Sequence, residues 1–207
     1  MINSAARFYN IAGNFTKEEQ LVTACWDEIE TAYNLPERHY HTLTHIEQML
    51  DLLDEVKEAC SDLVSLQLAV FYHDIVYDAQ RNDNEVQSAA IARKRLTELG
   101  YEPVEKVVTL ILATQKHESS GDTDRNYLLD TDLVILGAER SRYEAYARQV
   151  REEYRIYPDE VYNPGRVQVL QHFLYSARIF KTDYFYHKLE GAARFNLRNE
   201  IELLSGK

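Results

Sequence analysis

A chain of 207 residues with 45% hydrophobic content is long enough to bury a substantial core as one domain. Its formal net charge of −11 argues against a broad nucleic-acid-binding face, because a phosphate backbone is drawn to clustered Lys and Arg. No stretch approaches the roughly 20 uninterrupted apolar residues of a membrane span. The opening "MINSAARFYN" has no basic segment leading into an apolar run, and Cys25 and Cys60 have neither disulfide-framework nor zinc-knuckle spacing. These features predict a soluble cytoplasmic protein with no membrane and no nucleic-acid polymer as partner.

Helical periodicity dominates from the start. "TKEEQLVTACWDEIETAYN" places Leu21, Ala24, Cys25, Ile29 and Ala32 on one side of a helix, with Thr16 as its cap, Glu19 three residues on and Leu35-Pro36 to end it. The next helix begins near Pro36 or Thr42 and buries Ile46, Met49, Leu50 and Leu53. "SDLVSLQLAVFYHDIVYD" is apolar nearly all round, the pattern of a central helix. After the polar break "AQRNDN", "NEVQSAAIARKRLTELG" is a helix stopped by Gly100 in a left-handed terminal position. "EPVEKVVTLILATQKHES" is rich in β-branched residues, yet its length and the early Pro103 favour a helix over a strand.

"SSGDTD" is then a loop, "RNYLLDTDLVILG" a shorter helix, "ERSRYEAYARQVREEYRIY" a long helix with a solvated charged face, and "PDEVYNPG" a break. From Arg166 to Leu204 two helices follow, separated near "KTDYF". Tyr154, Tyr157 and Tyr162 offer faces for a flat ring, although burying a ring while wetting its hydroxyl is the commoner use of tyrosine. With no repeat and no convincing strand, the sequence predicts an all-α, single-domain helical bundle.

Polar residues interrupt these apolar segments at three places. His39, His41 and His45 crowd the start of one helix, where His41 and His45, four apart, share a face. His73 and Asp74 interrupt the most hydrophobic helix, and Asp130 and Asp132 sit among Leu, Val and Ile. Buried charge is costly unless it is paired or bound to metal. About 0.4 His-Asp dipeptides are expected by chance in this composition, so location rather than the dipeptide carries the argument. One His of the first group, the His73-Asp74 pair and one of the later aspartates would supply nitrogen and oxygen ligands to a single divalent cation such as Mn, Fe, Co, Ni or Zn.

The order of H, then HD, then D on successive helices resembles the HD-domain superfamily of metal-dependent phosphohydrolases. "HTLTHIEQML" is similar to that family's first histidine motif, "FYHDIVYD" to its His-Asp signature and "DTDLVILG" to its final Asp motif. With "RHYHTLTHI", "NDNEVQSAAIA" and "EGAARFNLRNE" the likeness runs from Arg38 to the C-terminus, closest to a bacterial group of predicted metal-dependent phosphohydrolases. The resemblance implies one HD-type helical domain over residues 1–207, with core motifs in 38–137 and C-terminal helices in 139–205 packed on it. It also implies the ligand set His45, His73, Asp74 and Asp132, holding one divalent ion, with Mg added to the metals above. His45 rather than His41 matches the family's ligand, which precedes Ile or Val early in its helix. His41 then supports the metal or contacts substrate, His39 is solvated, and Asp130 caps or orients its neighbour. A single ion is expected because bimetallic members carry additional His between the His-Asp pair and the last Asp, where this chain has only His117.

Such a site implies hydrolysis of a phosphate ester of a small metabolite or nucleotide by metal-activated water, with Asp74 orienting the water and Glu85 as acid or base. Glu85 would alternatively serve the dipole of its helix. Lys116, His117, Arg166, Arg178 and Arg194 are candidates to meet the phosphate, whereas His172 and His187 are structural or exposed. Two further classes stay open: a metal-dependent oxygenase, since some proteins of the superfamily use di-iron sites, and a non-catalytic, metal-stabilised ligand-binding module. Homo-oligomer formation is compatible with all three.

Overall fold

The computed structural model describes residues 3–206, which form ten α-helices, two 3-10 turns and no strand, so the all-α expectation is borne out. The chain divides into two compact units, one ending at Leu128 and the other beginning at Leu129. The first contains α1 (Ser4–Ala12), α2 (Glu19–Tyr33), α3 (Leu43–Val56), α4 (Leu63–Tyr72), α5 (Asn84–Glu98), α6 (Val104–Ala113) and the start of α7 (Thr123–Leu133). The second contains the end of α7, a 3-10 turn (Val134–Gly137), α8 (Arg140–Glu153), α9 (Asp159–Tyr175) and α10 (Asp183–Leu204). Among the described residues no helix is long and apolar enough to cross a membrane.

In the first unit α4 is the hub, as its all-round apolar surface requires: it packs on α1, α3, α5 and α6. Leu66, Leu68, Ala69, Val70, Phe71 and Tyr72 are completely buried. Each large apolar side chain so buried contributes about 1.5–3 kcal/mol. Phe8 of α1 meets the Phe71 ring edge-on at 5.3 Å and Trp26 of α2 at 6.0 Å. The N-terminus of α4 is secured by polar contacts. Asp62 accepts the Ser65 amide at 2.9 Å, and buried Asp124 accepts the Ser61 and Asp62 amides at 2.7 and 3.0 Å and Lys106 Nζ at 3.1 Å. Ile46, Met49, Leu50 and Leu53 form the buried face of α3, as their spacing predicts. Gly100 adopts φ +75° after α5, the left-handed stop expected of it.

In the second unit α10 lies along the 3-10 turn and α9. Asn196 donates to the Leu136 and Ala138 carbonyls at 2.9 Å, and a Cβ on Gly137 would come within 2.7 Å of Leu189 Cβ, so glycine is needed for this close approach. Asp130, wholly buried, accepts the Lys181 and Thr182 amides and the Thr182 hydroxyl, each at 2.7 Å, capping the entry to α10.

Several boundaries differ from the sequence expectation. Thr16 does not cap α2; its hydroxyl accepts the amide of Glu18, and Glu18 occupies the cap position. "PDEVYNPG" is not a break. Pro158 takes the cap position of α9, Asp159 and Glu160 fill the first turn, and Pro164 lies inside the helix. A proline near the start of a helix forfeits one backbone bond, and the favourable acidic first turn offsets part of that loss.

Candidate metal centre

His73 and Asp74 do not interrupt α4 from within: the helix ends at Tyr72, His73 is its C-terminal cap and Asp74 follows. A helix C-terminus presents carbonyl oxygens and the negative end of the helix dipole, an environment that favours a cation. The His73 amide continues the helical ladder to Ala69 O at 2.8 Å, and its Nδ1 lies 2.9 Å from Val70 O. Nδ1 therefore donates to the carbonyl, and in the neutral ring Nε2 carries the lone pair. That Nε2 lies 3.1 Å from Asp74 Oδ2. Two lone-pair donors at this distance repel unless a proton or a metal cation neutralises them, which is the condition of a ligand pair.

The third donor comes from α3. His45 occupies the third position of that helix, 3% exposed, with its ring centroid 5.5 Å from that of His73. One ligand atom from each of His45, His73 and Asp74 lies within 4.8 Å of the others. Two imidazoles and a carboxylate suit a divalent transition metal and leave further coordination positions open.

His41 is not on the helix with His45. It precedes the Thr42 cap of α3 on an irregular segment, so their 5.9 Å ring separation is set by the loop rather than by helical spacing. Its Nε2 lies 4.0 Å from Asp74 Oδ2, and its ring stacks on Tyr77 at 4.1 Å. His39 is half-buried rather than solvated, with Nε2 shielded from water.

Glu85 stands in the first turn of α5, brought there by a tied loop in which the Val76 amide donates to Ser88 Oγ and the Asp78 amide to Asn84 Oδ1. Burial pushes the Glu85 carboxyl above its usual range and the Asp74 charge adds to this, while its own backbone amide and the imidazoles of His117 and His73 oppose it. His117 follows α6 at φ +51°, a left-handed conformation that costs a non-glycine residue about 1–2 kcal/mol. That strained backbone places an imidazole within electrostatic reach of Glu85.

The residue that sequence reasoning missed is Arg38. It is 6% exposed, and its guanidinium donates to His41 O at 3.1 Å and to Ile75 O at 2.9 Å while lying over the rings of Tyr33 and Tyr77. Tyr33 in turn accepts the Asp74 amide at 3.2 Å. Arg38 thus ties the His41 loop to the turn after Asp74. Its place in "RHYHTLTH" was visible, but burial of a cation against carbonyls and aromatic faces was not. Arg38→Ala is expected to weaken metal binding by about 10–100-fold, as loss of groups that orient ligands does, and calorimetric titration with Co(II) measures it.

Lys116 is exposed beside His117. Arg166 is committed to Glu200 at 2.8 Å and Tyr146 at 3.2 Å, Arg178 to Asp183 at 2.8 Å, and Arg194 to Glu190 and the Leu174 and Ser176 carbonyls. Each of these arginines is thus engaged with a carboxylate of the second unit, buried for Arg166 and solvent-exposed for Arg178. Asp132 lies in the last turn of α7, half-buried and within electrostatic range of Lys181 and Tyr146. His172 and His187 are exposed, Tyr162 is buried against Tyr154 at 5.9 Å, and Cys25 and Cys60 are free thiols.

No family model, curated protein or solved structure matches the chain. The fold and the site define its class directly: an all-helical protein in which two histidines and an aspartate form a group that can hold a metal ion.

Proposed function

We propose that this chain is a metal-dependent phosphohydrolase that cleaves a phosphate ester of a small metabolite or nucleotide. The convergence of His45, His73 and Asp74 carries the reading, supported by the elevated, partly buried carboxyl of Glu85 beside them. A divalent cation held there supplies Lewis acidity, lowering the pKa of water and drawing charge from a phosphoryl oxygen.

The chain's own residues do the rest. Asp74 orients the attacking water through its second carboxylate oxygen, and His41, packed on Tyr77, accepts a proton or contacts substrate at the open side. Glu85, its proton held more firmly by burial, delivers it to the departing oxygen. Lys116 and His117, adjacent after α6, meet the phosphate charge.

Elemental analysis of the purified protein, followed by phosphate release from a broad panel with Mn, Co or Ni, tests the proposal. Metal binding is also expected to stabilise the fold, by about 2.7 kcal/mol at a free metal concentration 100-fold above Kd, which a melting curve reads. Absence of metal and of any thermal shift would sink the metal centre. Bound metal without phosphate release would leave a ligand-binding module, and two irons per chain would point to an oxygenase.

A further inference from the structure

The second unit holds a feature the proposed hydrolysis does not use. Along α8 and α10 runs an open cleft of about 540 Å³, the size of a small-molecule pocket. Its surface is mixed in a specific way. The rings of Tyr143 and Tyr162, with Ala147 and Leu203, give it an apolar body, and Leu203 is left 78% exposed at its edge. Glu200 also lines the cleft and is held there by the Tyr143 hydroxyl and by the Arg166 guanidinium. This network is satisfied within the second unit and forms part of the cleft wall.

Charge selects the ligand. In a chain of net charge −11, three arginines of one helix, Arg140, Arg148 and Arg151, line this cleft. Arg140 is paired with Glu144 and Arg151 with Asp159, each at 2.7 Å. Arg148 is exposed and has no ion-pair or hydrogen-bond partner among the described residues. The Glu200 charge is already met by Arg166 at 2.8 Å, so Arg148 is the cation left to face a ligand.

We propose that this cleft binds a small organic anion, with a flat apolar body against Tyr143, Tyr162 and Leu203 and an acidic group on Arg148. The probe is 8-anilinonaphthalene-1-sulfonate, whose sulfonate offers no phosphate ester to hydrolyse, titrated into the full metal-free chain by fluorescence and calorimetry. Saturable binding of one probe per chain is expected. Arg148→Glu is expected to weaken it by at least about tenfold, and Ala147→Trp, which fills the cleft from its wall, to abolish it. Both variants are expected to melt close to the parent, and His73→Ala to bind the probe unchanged, which separates this site from the metal centre. Binding that is not saturable, or equal affinity in the parent and both cleft variants, would overturn the proposal. So would a dimer of the parent that dissociates in Ala147→Trp, since a second copy would then occupy the cleft. Should Ala147→Trp fail to fold, exposed Arg148→Glu decides the matter alone.

Discussion

His73→Ala is expected to abolish metal binding and, with it, phosphate release, while the helical fold persists. The reason is that His73 serves the site through both ring nitrogens. Nδ1 is anchored 2.9 Å from Val70 O at the end of α4, and Nε2 is aimed at Asp74 Oδ2 at 3.1 Å. Removing the imidazole takes away one of the three convergent donors. Groups that merely orient ligands are worth about 10–100-fold in affinity, so loss of a ligand is expected to exceed about 100-fold. Calorimetry with Co(II) or Mn(II) reads the affinity, and far-ultraviolet circular dichroism of the metal-free variant checks the fold. Metal affinity within about tenfold of the parent would remove His73 from the ligand set and the hydrolytic proposal with it.

Arg166→Ala is expected to destabilise the protein by about 3–5 kcal/mol, because it leaves a buried carboxylate without its cation. The Arg166 and Glu200 side chains are each 8% exposed, and the same carboxylate accepts the Tyr143 hydroxyl. Arg166 also donates to Tyr146 at 3.2 Å, and these partners hold its guanidinium charged. Replacing the whole network, with Arg166→Met, Glu200→Leu, Tyr143→Phe and Tyr146→Phe together, is expected to restore most of the stability, since no buried polar group is then stranded. Urea denaturation of the single and combined variants makes the comparison. If Arg166→Ala instead left stability intact and raised only the KM for a phosphate ester, Arg166 would be a substrate contact and the structural assignment would fail.

The two variants mark the boundary between what could be read along the chain and what could not. The buried face of α3 through Ile46, Met49, Leu50 and Leu53, the apolar surface of α4 and the left-handed stop at Gly100 were legible, because each follows from spacing within a few turns of helix. So were the residue types that form the cluster, since His45, His73 and Asp74 stand out as polar intrusions in apolar segments. Their placement was not. His41 falls before α3 and His73 at the end of α4, differences of one or two residues that periodicity does not define because the ends of helices are set by caps and by what packs beside them.

Sequence also proposed Arg166, Arg178 and Arg194 for phosphate, and the fold pairs each with a carboxylate of the same unit. The Arg166 partner lies 34 positions away in the chain, a separation at which residue type carries no information about contact. Arg38 is the converse case: one more arginine by composition, it became a clamp between the His41 loop and the turn after Asp74 only when Tyr33, Tyr77 and the Ile75 carbonyl closed around it. By itself, then, the sequence determined the helical class, the faces of the helices and the chemical alphabet of the site, all of which depend on near neighbours. Tertiary packing alone decided which charges are spent on one another and which side chains converge, because those outcomes depend on burial and on partners remote in the chain.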